Sequence, residues 1–124
     1  MNIEEPRSGA PRVSVQGEID RATVDVVRRQ AHRQIELHGP RLVLDLARTS
    51  FMDSSGLQLI EALRRCTSEQ GGALVLVVAT YGVRRLLRLA PPPSDVLVVV
   101  ARSQRDAAVT NRRPSPQSGQ AVAA

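Results

Sequence analysis

Lysine is absent from this 124-residue chain, in which all 17 basic residues are arginine. A Walker A phosphate-binding loop and a Schiff-base mechanism both require a lysine, so the sequence excludes both. There is one cysteine, Cys66, and there are two histidines, His32 and His38. This composition excludes an internal disulfide framework and a cysteine-rich metal site, and we expect no metal and no cofactor.

Long apolar runs are missing as well. No segment approaches the roughly 20 apolar residues that a membrane-spanning helix requires, and the chain does not begin with a basic and then apolar leader. We therefore expect a soluble, cytoplasmic protein that does not contact a membrane. Leu, Ile, Val and Phe still account for 34 residues, which is enough for one hydrophobic core.

The net charge of +5 is unevenly distributed. Residues 1–101 contain 13 arginines and 11 acidic residues, whereas residues 102–124 contain four arginines and one aspartate. A basic tail is a candidate for binding nucleic acid or acidic lipid, but this tail has no interleaved aromatic residues, and solvated charge explains it more simply. We expect no direct DNA binding. The use of arginine alone fits GC-rich coding as well as it fits any function.

Hydrophobic periodicity predicts one α/β domain over residues 1–111 and a disordered tail over residues 112–124. Strands and helices are expected to alternate, with connections short enough for parallel crossovers. The predicted strands are 13–17, 41–46, Ala73–Val78 and 96–100, with at most a short edge strand at 2–5. The predicted helices are 22–37, a second one from 53–56 to Gly71 and Gly72, Tyr81–Leu89, and a further turn or two at 103–109. The polar run Arg48, Thr49, Ser50 is expected to end the second strand.

Residues 51–57 are the one segment that combines reactive side chains with a strand-to-helix junction. A helix start leaves unpaired N–H groups and carries partial positive charge. Ser55, followed three residues later by Gln58, matches a capping box, so we interpret Ser55 as the structural serine. Ser54 then lies one position before the first helical turn, with its hydroxyl facing solvent or a partner.

Plainer interpretations of these residues remain open. Asp-Ser-Ser-Gly before an apolar run is first of all a helix N-terminus. A serine hydrolase is not supported, because the G-x-S-x-G elbow is absent and neither histidine has an evident orienting acid, so we expect no enzyme. Asp45 is interpreted as orienting the loop that leads to Asp53, and Cys66 as a small buried hydrophobe. The outward residues Arg84, Arg85 and Arg88 form either a solvated helix face or a partner surface.

Four motifs carry a resemblance to a known family. They are Gly-Glu-Ile-Asp at 17–20, Leu-Val-Leu-Asp at 42–45, Phe-Met-Asp-Ser-Ser-Gly-Leu at 51–57 and Gly-Gly at 71–72. In this order and at these separations, the chain resembles the STAS domain of bacterial anti-sigma factor antagonists from about residue 13 to residue 100. The resemblance implies an α/β, STAS-like fold with a four- or five-stranded, mixed and mostly parallel sheet flanked by helices.

The same resemblance implies a function in partner switching. In that family the unphosphorylated antagonist binds an anti-sigma factor that is also a serine kinase, and the sigma factor is released. Phosphorylation of the first serine of the motif, here Ser54, ends the complex, and a PP2C-type phosphatase restores it. Ser55 is then the capping neighbour, and Asp20 and Asp53 are the acids near the acceptor. The residues expected to contact the partner are Asp20, Met52, Asp53, Ser54, Ser55, Gly56 and Leu57, with apolar contributions from Met52 and Leu57.

Two features depart from the family pattern. The N-terminal strand is short and flanked by prolines, and residues 90–95, which include three consecutive prolines, replace the usual Gly-Leu-containing turn. The alternative function is an accessory STAS subunit of a transport or lipid-trafficking complex, or a nucleotide-sensing module, in which the helix N-terminus contacts its ligand without being modified.

Overall fold

In a computed structural model, which describes residues 2–4 and 11–101, the chain forms a five-stranded sheet and three helices. The elements in chain order are β1 (Asn2–Glu4), β2 (Arg12–Ile19), α1 (Val24–His38), β3 (Arg41–Met52), α2 (Ser54–Glu69), β4 (Ala73–Val78), α3 (Tyr81–Leu89) and β5 (Leu97–Val100). The alternation of strands and helices that periodicity predicts is confirmed, and the bounds of β4 and α3 are the predicted ones.

The strands lie in the sheet in chain order, from β1 at one edge to β5 at the other. β1 pairs antiparallel with β2, and the other three pairings are parallel. This confirms the mixed, mostly parallel sheet. β2, β3 and β4 run in the same direction, so their carboxyl ends lie side by side, and the residues that follow them share this carboxyl edge of the sheet. Hereafter, the edge of the sheet means this carboxyl edge and not the outer strands β1 and β5. Asp20, Asp53 and Ala79 are the first of these residues.

The hydrophobic core is built from aliphatic side chains on one face of the sheet. Alternate residues of β3 point into it, and Leu44 and Leu46 are fully buried there. α1 adds Val27 and Ala31, and α2 adds Leu59 and Leu63, at the three- and four-residue spacing of a helix face. Cys66 packs against this core and is half-buried. Burial of this apolar surface is the main stabilising contribution to the fold.

β3 continues six residues beyond its predicted end. The prediction that Arg48, Thr49 and Ser50 end the strand is wrong, because β2 pairs with this stretch as well. The Thr49 side chain is fully buried, and its Oγ1 donates a hydrogen bond to the carbonyl of Val15 over 2.9 Å. Two register shifts in the β2–β3 pairing accommodate this stretch. The extension carries the chain to Met52 in one piece, so β3 leads directly into α2.

Asp45 lies in the middle of β3, and the expectation that it orients the loop before Asp53 is wrong, since the chain is strand there. Asp45 is 7% exposed, and its carboxylate pairs with the Arg12 guanidinium at 2.7 Å. It also accepts hydrogen bonds from the backbone N–H of Ala47 at 2.9 Å and from the Ser14 hydroxyl at 3.4 Å. Asp45 therefore joins β2 to β3 on the sheet face opposite the main core.

The predicted helical turn at 103–109 and the predicted tail at 112–124 lie outside the described residues. The boundary of the domain at residue 111 remains a prediction. In the parts of the chain that the structure describes, no helix combines the length and apolarity that crossing a bilayer requires. The same parts contain no cluster of three or more His, Cys, Asp or Glu side chains able to hold a metal ion.

Candidate functional site

Asp53 caps the N-terminus of α2. It has an extended backbone (φ −107°, ψ −164°), and its carboxylate accepts a hydrogen bond from the backbone N–H of Ser55 over 2.8 Å. The capping box predicted from Ser55 and Gln58 is therefore wrong. Aspartate is as good an N-cap as serine, and the helix begins at the first residue after it. Ser55 lies inside the first turn, where it is 8% exposed.

Ser54 is the first residue of α2, two positions further into the helix than a cap at Ser55 predicts. Its side chain is exposed, as expected, and it forms no hydrogen bond with the described residues. Asp53 before it caps the helix, and Ser55 after it is buried, so Ser54 is the exposed serine of this junction. An exposed hydroxyl at a helix start is accessible to a modifying enzyme or to a partner surface.

Met52 and Gly56 fix how closely α2 approaches the end of β3. Met52 is 4% exposed and belongs to the core. A Cβ at Gly56 would overlap the Met52 side chain, so only glycine fits at this position. The expectation that Met52 offers apolar surface to a partner is wrong, because its side chain lies beneath the helix. Met52 and Gly56 instead set how closely the first turn of α2, which carries Ser54, approaches the end of β3.

Asp20 follows β2 as Asp53 follows β3. The Asp20 carboxylate accepts hydrogen bonds from the backbone N–H groups of Ala22 at 2.9 Å and Thr23 at 3.1 Å. The backbone N–H of Asp53 donates to the carbonyl of Ile19 at 3.2 Å, which ties the ends of the two strands together. Two carboxylates are thus held in defined turns at the edge of the sheet where Ser54 lies. The two carboxylates bring negative charge to this part of the sheet.

Leu57 is half-buried and lines a groove between α2 and the segment after α3. The groove has a volume of about 360 Å³, and its other lining residues are Ile60, Glu61, Leu87, Ala90, Pro91, Pro92 and Pro93. The three prolines that depart from the family pattern therefore form one wall of the groove. Of the apolar residues expected to face a partner, Leu57 is the one that retains accessible surface.

An ion-pair cluster ties the proline segment to α2. Arg64 pairs with Glu61 at 2.7 Å and with Asp95 at 3.3 Å, and Arg65 pairs with Glu61 at 3.3 Å. The hydrogen bond from Arg64, followed by the charges of Arg64 and Arg65, holds the pKa of Glu61 below its ordinary value. The same hydrogen bond raises the pKa of Arg64. Glu61 thus remains ionised and links the two arginines.

Sequence reasoning missed two residues at this edge of the sheet. Phe51, three residues before Ser54, is 49% exposed, and Tyr81, the first residue of α3, is 69% exposed. They are the only Phe and the only Tyr in the chain, and there is no Trp. The composition already shows that aromatic residues are rare, which marks Phe51 and Tyr81 for attention. The structure adds that both lie outside the core.

The two histidines lie on α1 and not at the N-terminus of α2. His38 ends α1 and precedes β3, whereas Ser54 follows β3, so the two residues lie at opposite ends of a 12-residue strand. A strand of this length spans roughly 35 Å. His32 is half-buried on α1. Among the described residues no hydrogen bond joins a histidine to Ser54, so these residues do not assemble a serine–histidine pair there.

Comparison with known proteins agrees with this geometry. The family model described as STAS domain matches residues 5–96. An anti-sigma F factor antagonist from Paenibacillus polymyxa is 34% identical over 91 residues, which is 70% of this chain and 78% of the relative.

Solved structures share the fold. An anti-sigma factor antagonist from Mycobacterium paratuberculosis superimposes with a TM-score of 0.71 at 23% identity, covering 90% of this chain and 93% of that one. The anti-sigma factor antagonist SpoIIAA in its unphosphorylated form gives a TM-score of 0.65 at 20% identity, covering 88% of this chain and 95% of that one. The family model extends over most of the chain, and the sequence relative and the fold agree with it: this chain belongs to the STAS domain family.

Proposed function

We propose that this chain is an anti-sigma factor antagonist, and that phosphorylation of Ser54 ends its complex with the anti-sigma factor. The observation that carries the proposal is the exposed Ser54 side chain at the first turn of α2, flanked by a helix cap and a buried serine. The relative at 34% identity is named as an anti-sigma F factor antagonist, which supports the same role here. The partner is then an anti-sigma factor that is also a serine kinase, and a PP2C-type phosphatase reverses the modification.

The local electrostatics make Ser54 an effective switch. A phosphate adds about 1.5 to 2 negative charges at neutral pH. A helix N-terminus often neutralises such charge, but here the N–H of Ser55 already donates to Asp53. The phosphate therefore adds to the negative charge of Asp53 and of Asp20 in the adjacent turn. Burying this charge against a partner without a cation opposes binding by several kcal/mol.

The expected consequence is a loss of affinity of about a thousandfold or more, because each 1.4 kcal/mol changes a dissociation constant about tenfold. The fold need not change for this to happen. Ser54 is exposed, so a phosphate on its oxygen displaces no core side chain. The switch acts at the docking surface, through charge alone.

The capping arrangement argues against a nucleotide-sensing role at the same position. Phosphate groups of nucleotides bind where helix N–H groups point at them unpaired. At α2 the Asp53 carboxylate occupies that position and brings a negative charge of its own. A phosphate on Ser54 is held in place by its covalent bond despite this repulsion. A free anion has no such bond and would be repelled.

The test has two steps. The chain is first used to capture an anti-sigma factor from the cells that produce it, and the captured protein is purified. The chain is then incubated with this protein and Mg-ATP, and the product is mapped by mass spectrometry. We expect a single phosphate on Ser54, lost in Ser54→Ala and retained in Ser68→Ala, which alters an exposed serine at the other end of α2. A phosphate on any other residue, or none, would contradict the proposal.

A further inference from the structure

α3 presents a basic face whose charge is not neutralised within the described residues. Its outward residues Arg84, Arg85 and Arg88 are exposed, and the segment Tyr81–Leu89 contains no Asp or Glu. Each of the other two helices has at least one arginine paired with an acid of its own, Arg28 with Asp25 on α1 and Arg64 with Glu61 on α2, although Arg29 and Arg33 of α1 form no such pair in the described part of the chain. No such pair forms on α3 among the residues that the structure describes. An anionic surface would find three cations there without displacing an existing ion pair.

Exposed apolar and aromatic groups flank this basic face. Tyr81 begins α3 and is 69% exposed, and Leu89 ends it and is 72% exposed. Arg85 reaches back to the Tyr81 hydroxyl at 3.4 Å. Aromatic residues and arginine are the types enriched in the centres of protein–protein interfaces, where they contribute most of the binding energy. Exposed aromatic residues in a chain whose core is aliphatic therefore indicate a binding role.

Two contacts bring the start of α3 to the end of β3. The Thr80 hydroxyl donates to the carbonyl of Thr49 at 2.6 Å. A Cβ at Gly82 would lie only 3.1 Å from the carbonyl of Ser50. The residues on either side of Tyr81 thus touch the two residues that precede Phe51. Phe51, Tyr81 and Ser54 consequently lie along the same edge of the sheet.

We propose that Phe51, Tyr81 and the arginine face of α3 form a docking surface for an acidic patch of the same protein that binds at Ser54. The proposal rests on the proposed function for the identity of that protein, an anti-sigma factor. The edge of the sheet then has two halves of opposite charge: the Ser54 half carries Asp20 and Asp53, and the α3 half carries the arginines. A partner with a basic and an acidic patch in the matching order docks in one orientation only.

A protein fits this surface better than a nucleic acid or an anionic membrane. Both of those present negative charge over a wide area. The α3 half would attract it, but the carboxylates beside Ser54, together with exposed Glu18 opposite Phe51 in the sheet, would repel it along the same edge. A folded protein can alternate the sign of its charge over this distance.

The test compares two charge reversals in the full chain. The variant R84E/R88E changes two exposed arginines four residues apart on α3, and R29E/R33E makes the same change on α1. Affinity for the captured anti-sigma factor is measured by titration calorimetry at low and high salt. We expect R84E/R88E to bind at least about tenfold more weakly and with a smaller salt dependence, and R29E/R33E to bind within about twofold of the wild type. R84Q/R88Q replaces R84E/R88E if thermal unfolding shows that the latter is misfolded.

The aromatic half of the surface is tested by Phe51→Ala and Tyr81→Ala, each expected to weaken binding at least about tenfold.

Equal affinities of R84E/R88E and R29E/R33E would overturn the proposal. The proposal would also be overturned if R84E/R88E bound vesicles of anionic phospholipid or duplex DNA more weakly than the wild type does, with an unchanged affinity for the anti-sigma factor. If Ser54→Asp weakens binding and R84E/R88E does not, only the α3 surface is wrong. If R84E/R88E weakens binding and Ser54→Asp does not, the surface stands and the phosphorylation switch is wrong. Failure of the chain to bind any anti-sigma factor overturns both.

Discussion

The Asp53 carboxylate accepts a hydrogen bond from the backbone N–H of Ser55 over 2.8 Å, and Ser54 lies between these two residues with its side chain exposed. Asp53 therefore has two separable roles, as a cap of α2 and as a negative charge beside the proposed phosphorylation site Ser54. Asparagine retains the first role and removes the second, since both residues are good N-caps.

We expect Asp53→Ala to lower the free energy of unfolding by about 0.5 to 2 kcal/mol, and Asp53→Asn to lower it much less. Urea unfolding followed by circular dichroism measures both. In the Asp53→Asn variant, phosphorylation of Ser54 should weaken partner binding less than it does in the wild type, because one of the repelling charges is gone. An asparagine variant as unstable as the alanine variant would show that the cap is not what stabilises this helix start.

The close approach of α2 to β3 at Gly56 makes a second prediction. We expect Gly56→Ala to lower the free energy of unfolding by about 1 to 3 kcal/mol, because the new methyl group overlaps the Met52 side chain. Met52→Ala creates a cavity and is destabilising by itself, by about 2 to 5 kcal/mol. The double variant should be less destabilised than the sum of the two, with a coupling of about 1 kcal/mol or more. Simple additivity in this cycle would mean that Met52 does not exclude a side chain at residue 56.

The bounds of α3 and the cap of α2 show where prediction from the sequence succeeds and where it fails. Periodicity predicts α3 to the residue, because Val83 and Leu87 are spaced by four residues and the arginines fall on the opposite face of a helix. It placed the cap at Ser55 because serine and glutamine at the right spacing are a recognised signal. Aspartate two positions earlier gives an equally good signal, and spacing alone does not rank the two.

The remaining errors concern contacts between residues far apart in the chain. Thr49 is polar, which predicts the end of a strand, but its hydroxyl donates to the carbonyl of Val15, 34 residues earlier. The position of Asp45 after an apolar run predicts a loop, but Asp45 pairs with Arg12, 33 residues earlier. Met52 was expected at a surface, and α2 covers it. Local patterns record which face of an element is apolar, and they do not record which strand lies beside it.

The buried ion pair between Arg12 and Asp45 makes a third prediction. We expect Asp45→Ala to lower the free energy of unfolding by about 1 to 3 kcal/mol, because it removes the buried ion pair with Arg12 and leaves the buried N–H of Ala47 without its acceptor. The matched control is Asp25→Ala, which removes the exposed partner of Arg28 and should cost about 1 kcal/mol or less. Chemical denaturation of both variants gives the comparison. Similar losses in the two variants would contradict a structural role for the buried pair.

Glu61 makes a fourth prediction, on pH. Its pKa in the folded chain is lower than the ordinary value of 4.5, chiefly because of the hydrogen bond from Arg64. A carboxyl with a lowered folded pKa contributes stability above its unfolded pKa and loses it as the pH falls through the folded pKa. Glu61→Gln should therefore be less stable than the wild type near neutral pH, and the two stability curves should converge as the pH falls through the lowered folded pKa.

Thermal unfolding over this pH range measures the difference between the two curves for Glu61→Gln. High salt should shrink the difference near neutral pH, since the cluster is exposed to solvent. A difference that stays constant from neutral to acidic pH would mean that the charge of Glu61 does not contribute to stability.

The most direct test of the central claim is the dissociation constant of the complex with the anti-sigma factor, measured by calorimetry for the chain phosphorylated on Ser54, for the unmodified chain and for Ser54→Ala. Charge repulsion at the first turn of α2 predicts that the phosphorylated chain binds about a thousandfold more weakly than the unmodified chain, and that Ser54→Ala binds as the unmodified chain does. Dissociation constants for the phosphorylated and unmodified chains that agree within about twofold would contradict it.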